Sequence, residues 1–208
     1  WVDLTTDVRT NPSPKVSGMG IMGNNIMDRI GDVGKLEFSL DNSATNSATT
    51  LGYYTPEGAN KLSGWQPGLP VRLYFEYDSF RRYKFYGHID PDGLTPTADP
   101  YGERSVRVVA SNWFREASIH TLELMTYQTN KTAVEVIPMV IGNMRTEPLQ
   151  TNFLAYELFG GVDDTVTFPT VFDIVKTTTK AMGELQKITM SDLAFLYIRG
   201  DGSGGETL

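Results

Sequence analysis

Between residues 35 and 110 apolar and polar side chains alternate with a period of two, and this pattern constrains the fold more than any other feature of the sequence. In KLEFSLD (35–41), Leu36, Phe38 and Leu40 oppose Lys35, Glu37 and Ser39. Farther on, Val71, Leu73 and Phe75 oppose Arg72, Tyr74 and Glu76. After a turn at Asp78 and Ser79, the alternation assigns Tyr83, Phe85, Gly87 and Ile89 to one face and Lys84, Tyr86, His88 and Asp90 to the other. RSVRVVA (104–110) supplies a further strand. A strand exposes successive side chains to opposite faces, so one set enters a core and the other meets water. Several short strands punctuated by Gly, Pro, Asn and Asp form a barrel or a sandwich. On this reading His88 and Asp90 lie on the wet side of a sheet, and Arg81, Arg82 and Lys84 form a solvated hairpin tip.

Two connections stand out. Residues 42–50 (NSATNSATT) are small and polar, which predicts a mobile surface loop. Residues 90–101 (DPDGLTPTADPY) contain Pro91, Pro96 and Pro100, and proline is excluded from a central strand. A turn-rich excursion is expected there.

The second half changes period. Residues 130–144 place Thr132 three positions before Glu135, the spacing of a capping box, with Pro138 inside the expected helix. A second helix is expected over residues 170–191, with Thr170 and Asp173 at capping spacing and Ile174, Thr178, Ala181, Leu185 and Ile188 on one face. A strand follows at 193–199, then a Gly-rich turn at 200–206. The fold class expected is mainly β with an α+β second part. An antiparallel β-barrel over 1–115 precedes a smaller segment over 116–208 with one or two helices and short strands.

With 208 residues the chain can bury a real core, and its apolar runs are too short to cross a bilayer. It opens on Trp1 and closes on GGETL, so both ends are expected to be cuts in a longer polypeptide. There is no cysteine, which removes disulfides, thiolate metal sites and cysteine nucleophiles. A net charge of −7 argues against a grip on nucleic acid, which requires clustered cations.

The sequence nominates no catalytic, cofactor-binding or metal-ligating residue. Histidine occurs only at positions 88 and 120. His88 and Asp90 could orient a general base, but no nucleophile is placed beside them. Serine-elbow, zinc-helix and phosphate-loop motifs are missing from the sequence. Asp90, Asp92 and Asp99 with Gly93 lack calcium-loop spacing, and Asp201 and Glu206 flank glycines suited to a tight turn. Tyr53, Tyr54, Trp65, Tyr101 and Trp113 could stack on sugar rings, which would make the chain a carbohydrate-binding or host-receptor-binding β module. Such aromatics more often fill a β core or a subunit interface.

The order of elements carries a resemblance. Leu40-Asp41-Asn42 ends one strand, Pro67-Gly68-Leu69-Pro70-Val71 opens the next, and Phe85-Tyr86-Gly87-His88-Ile89 follows, before RSVRVVASNWFREAS and NKTAVEVIPMVI. This succession resembles the opening barrel of bacteriophage tail hub proteins, the late-control-D-like or baseplate-hub family, over residues 15–145. The resemblance implies a structural virion protein of the tail tip, assembled in the host cytoplasm, non-enzymatic and without cofactor. It also implies a homo-oligomeric ring, with a trimer favoured, that contacts tail tube, tape-measure or receptor-binding proteins. DNA would pass through such a ring without being bound, and an acidic lumen would let it pass without adhering.

Overall fold

A computed structural model describes residues 1–21, 23, 28–98, 103–123, 125–144, 154–155, 166–172, 179–192, 195–200 and 206–207. The alternating segments form strands as expected and join one sheet. Strands β1 (Lys15–Ser17), β2 (Lys35–Asp41), β3 (Pro70–Tyr77), β4 (Phe80–Ala98) and β5 (Arg104–Ser111) form one antiparallel sheet in the order β1-β2-β5-β4-β3. Leu36 faces Ala110, Phe38 faces Val108 and Leu40 faces Val106, so the apolar set of β2 meets that of β5 on one side. These six side chains are buried together with Phe85 and Ile89 of β4. Burying each of the larger ones is worth about 1.5–3 kcal/mol. On the opposite face Arg107 pairs with Glu37 at 2.7 Å in partial exposure. The expected barrel is a half-barrel: among the described residues β1 and β3 are the two ends of the sheet.

The connection from β2 to β3 closes the concave side. Tyr54 and Trp65 are buried in the sheet's core, with Leu62 and Leu69 packed against them. The loop at 42–50 lies at the surface as expected, with Ala44, Thr45, Ser47 and Thr49 exposed, but two of its side chains turn inward. Asn42 and Asn46 are buried, and Asn42 accepts from the Tyr54 N–H at 2.7 Å while its amide donates to Thr55 at 2.8 Å. Asn46 spans its own turn, donating to the Thr50 carbonyl at 2.8 Å and accepting from the Thr50 N–H at 3.1 Å. Buried amides with both ends satisfied order a segment that has little apolar surface of its own.

The proline-rich excursion is also corrected, because 90–98 continues β4. Four residues, 90–93, stand opposite Val109 before pairing resumes at Leu94 and Val108. Gly93 fills this bulge, where an added Cβ would lie 2.3 Å from the Val109 carbonyl oxygen. Beyond it β4 pairs with β5 only, since β3 pairs no farther along β4 than His88. Pro91 and Pro96 thus occupy a bulge and a locally outermost strand, the positions that tolerate a missing N–H.

A second core lies among helices α1 (Trp113–Ile119), α2 (Ala133–Gly142) and α3 (Ala181–Ser191). Helix α2 starts as expected, with the Thr132 N–H donating to Glu135 at 3.0 Å. Pro138 lies inside α2, which buries Val136, Ile137, Val140 and Ile141. Helix α3 is shorter than expected: Val171 bridges to Gln128, Phe172 has a φ of +66°, and the helix begins only at Ala181. Ala181, Leu185 and Ile188 are buried on its inner face, whereas Asp173, Ile174 and Thr178 lie outside the described residues. Of the strand expected at 193–199, Leu193 and Ala194 lie outside the described residues, and the rest contributes a bridge from Leu196 to Ile30 and the start of β7 (Arg199–Gly200). Strand β7 joins β6 (Leu154–Ala155) and β8 (Glu206–Thr207) in a small sheet of order β6-β8-β7. Asp99, Pro100, Tyr101 and Asp201 lie outside the described residues. No described helix is long and apolar enough to cross a membrane.

Candidate interaction surface

The residues His88 and Asp90 do not sit on a wet face. Helix α1 follows β5 after a single residue, and it lays Arg115 and Glu116 against this side of β4. Ser111 Oγ donates to Asp90 at 3.0 Å, and Arg115 Nε lies 3.2 Å from the other carboxylate oxygen. Arg115 also reaches Glu116 at 3.4 Å, and Glu116 holds His120 Nε2 at 2.9 Å. Asp90 is thus occupied by Ser111 and Arg115 rather than by His88.

His88 is partly buried, with its ring 5.7 Å from Tyr86 in an edge-on arrangement. Burial lowers its pKa, opposed by the Glu116 carboxylate, so the imidazole is neutral at neutral pH. The cluster is an ion-pair ladder that ties the sheet to the helical core. Among the described residues no set of three or more metal-ligating side chains gathers.

The aromatic candidates divide in the same way. Tyr54, Trp65 and Trp113 are at most 4% exposed. Trp65 Nε1 donates to the Tyr54 carbonyl at 2.8 Å, and the two rings meet edge to face at 5.5 Å. A sugar cannot stack on a ring enclosed in this way, so the reading of Trp65 as a platform is withdrawn. Tyr53 is only partly exposed and packs against Tyr54 at 5.1 Å.

Three of the exposed large apolar side chains, Phe75, Tyr77 and Phe80, lie together on the β3–β4 hairpin. Asp78 and Ser79 both have positive φ, at 47° and 65°, and they close a two-residue turn of the kind whose twist suits a hairpin. Tyr77 then faces Phe80, Glu76 faces Arg81, Phe75 faces Arg82 and Tyr74 faces Tyr83. The next pair is Leu73 with Phe85, so Lys84 is an extra residue in β4.

This bulge corrects the face assigned to Tyr83. Tyr83 joins Tyr74 on the outer face, at 5.5 Å between rings, while Phe80 and Arg82 share the side of Phe75 and Tyr77. Phe75, Tyr77 and Phe80 are 61%, 85% and 71% exposed, because the hairpin runs on past the end of the core. The parity of the sequence contains a clue: Phe80 is at an even position and Phe85 at an odd one, which a bulge between them reconciles.

On the outer face the charges are held over rings. Arg72 stacks 4.2 Å from the centre of Trp1 and 5.4 Å from that of Tyr83, and Arg81 lies 4.9 Å from Tyr74. Arg81 also pairs with Glu76 at 2.8 Å. The tip is solvated as expected, with residues 75–82 and Lys84 exposed, and it carries aromatic side chains on both faces. Strand β3 pairs only with β4 among the described residues, leaving eight residues with one open backbone edge. Such an edge is a template for another strand.

No protein-family model matches the chain, and no curated protein matches it. Among solved structures, it is similar to a 43 kDa tail protein of prophage MuSo2 from Shewanella oneidensis, with a TM-score of 0.48 and 9% identity, over 97% of this chain and 47% of that one. It is also similar to the E. coli c3393 protein, a type VI secretion component described as resembling the T4 tail proteins gp27 and gp5. There the TM-score is 0.40 and the identity 9%, over 76% of this chain and 35% of the other. The chain spans less than half the length of either structure.

Proposed function

We propose that this chain is a structural part of a bacteriophage tail, in the hub or tail tip, working by assembly rather than by catalysis. One observation carries the reading: the groups that could have formed a reactive site are committed to internal ion pairs and core packing, while the sheet leaves an eight-residue edge strand with exposed aromatics. The succession of motifs that resembles baseplate-hub proteins supports it, since those motifs fall on β2, the start of β3 and the middle of β4. The two hydrophobic cores favour two units, proposed as a β unit at 1–115 and an α+β unit at 116–208, although Trp113 and Phe114 of α1 already belong to the helical core.

In this reading copies of the chain close a ring, with a trimer favoured by the resemblance, that contacts tail tube, tape-measure or receptor-binding proteins in the virion. The net charge of −7 suits a channel that DNA traverses without binding. Light scattering on the full-length protein, with negative-stain imaging, tests it: a ring-sized particle is expected. A strictly monomeric protein at the highest concentration reached would overturn it, as would a channel lined with Lys and Arg.

A further inference from the structure

Strand β3 is complementary to itself. Its sequence, PVRLYFEY from Pro70 to Tyr77, can be laid antiparallel on a second copy with Tyr74 opposite Tyr74. Arg72 then faces Glu76 of the second copy, and the two-fold relation repeats that pair. Leu73 faces Phe75, and Val71 faces Tyr77. Every charged position of the strand meets its opposite, and every apolar position on the core side meets another.

We propose that two copies of this chain associate through antiparallel pairing of their β3 edges, centred on Tyr74. Residues opposite one another share a face, so the two half-barrels open to the same side and their five-stranded sheets become one of ten strands. Three observations favour a second copy over another partner. The edge is open over eight residues. Its exposed aromatics Phe75 and Tyr77 gain Leu73 and Val71 as apolar neighbours. The charges are complementary in this register, and Glu76, already paired with Arg81, lies on the same outer face as Arg72.

Slipping the register by two residues weakens the match. Centring on Leu73 sets Arg72 against Tyr74 and Glu76 against Pro70, whereas centring on Phe75 sets Glu76 against Tyr74 and Arg72 against Asp78, which lies in the turn beyond the strand. The contact is isologous and takes up the β3 edge, so it cannot itself close a ring: with a ring closed through other surfaces it joins two rings back to back, and without one it makes a dimer.

The test is a charge exchange. Arg72→Glu alone and Glu76→Arg alone each set like charges opposite one another at both pairs, and each is expected to weaken association roughly tenfold or more. Mixing the two single variants makes both pairs complementary again and is expected to restore association, and the double variant is expected to self-associate. The mass halves in the single variants whether the starting particle is a dimer or a pair of rings, so failure of this contact is distinguishable from failure of ring formation.

A second readout uses the absence of cysteine. Tyr74→Cys in an otherwise cysteine-free chain is expected to cross-link under oxidised glutathione, because opposite Cα atoms in an antiparallel pair lie about 4.5–5.5 Å apart. Unchanged mass in both single variants, no recovery on mixing, or cross-linking through Leu73→Cys or Phe75→Cys in place of Tyr74→Cys would overturn the proposal.

Discussion

Asp7 and Tyr54, separated by 47 positions, share a buried hydrogen bond in which the phenol donates to the carboxylate. Ser47 adds two more donors to Asp7, from its N–H at 2.7 Å and its hydroxyl at 2.6 Å. One carboxylate thus pins the N-terminal segment, the 42–50 loop and a core tyrosine together. Asp7→Ala leaves the buried Tyr54 hydroxyl and two part-buried Ser47 donors without this acceptor, and an unsatisfied buried donor costs about 1–3 kcal/mol. We expect a loss of about 3 kcal/mol in denaturant unfolding. A change under about 0.5 kcal/mol would show that the network has no structural weight.

The same carboxylate makes stability depend on pH. Burial raises the Asp7 pKa, but donation from Ser47 and Tyr54 outweighs it and holds the group below the ordinary carboxylate value. A depressed folded pKa means that the unfolded chain takes up the proton first as pH falls. The stabilisation is therefore complete above the ordinary carboxylate range and declines as pH drops through it toward the lowered folded value. Unfolding free energies between pH 7 and pH 3 are expected to fall, and more steeply in the wild type than in Asp7→Asn. Parallel curves for the two would refute the assignment.

At Gly87 the backbone of β4 runs close to that of β5. An added Cβ there would sit 2.3 Å from the Ser111 carbonyl oxygen and 2.7 Å from the ring of Phe85. Neither the strand backbone nor a fully buried ring has room to move, so Gly87→Ala is expected to cost about 1–3 kcal/mol or more. Gly64→Ala is a different case: its Cβ meets nothing within 4 Å, and only the φ of +77° opposes it. Thermal melting of the two variants should rank Gly87→Ala as the more destabilised.

The Asp90–Arg115 pair links the two cores. Its side chains are only 12% and 26% exposed. Replacing Arg115 with Met keeps most of the volume but leaves Asp90 with Ser111 as its one remaining partner. Stranding a largely buried carboxylate is expected to cost about 2–4 kcal/mol. Asp90→Asn in the same background should recover part of the loss. A double-mutant cycle with no coupling would mean that the ladder does not join sheet and helix energetically.

Trp65 distinguishes core from platform. Its burial and its bond to the Tyr54 carbonyl predict that Trp65→Ala costs about 3–5 kcal/mol in stability. A fully folded, equally stable Trp65→Ala variant would restore the stacking reading.

What could be read from the sequence was local. Alternation sets the inward face of β2, because a period of two leaves one face to bury, whereas its pairing as Leu36–Ala110 and Leu40–Val106 follows from the register with β5. The spacing of Thr132 and Glu135 marks the start of α2, since both partners of that bond lie within one helical turn. What escaped depends on contacts between distant segments. The bulge at Lys84 turns Tyr83 outward, and only the pairing with β3 reveals it. Nothing in NSATNSATT shows that Asp7 will reach Ser47, so a polar string reads as loose until its distant acceptor is in place. Likewise the polar face of His88 and Asp90 is partly buried because α1 folds back over β4. Side-chain periodicity determined which residues face inward, whereas tertiary packing decided which outward faces stay in water, because solvent exposure depends on every segment of the chain that can arrive there.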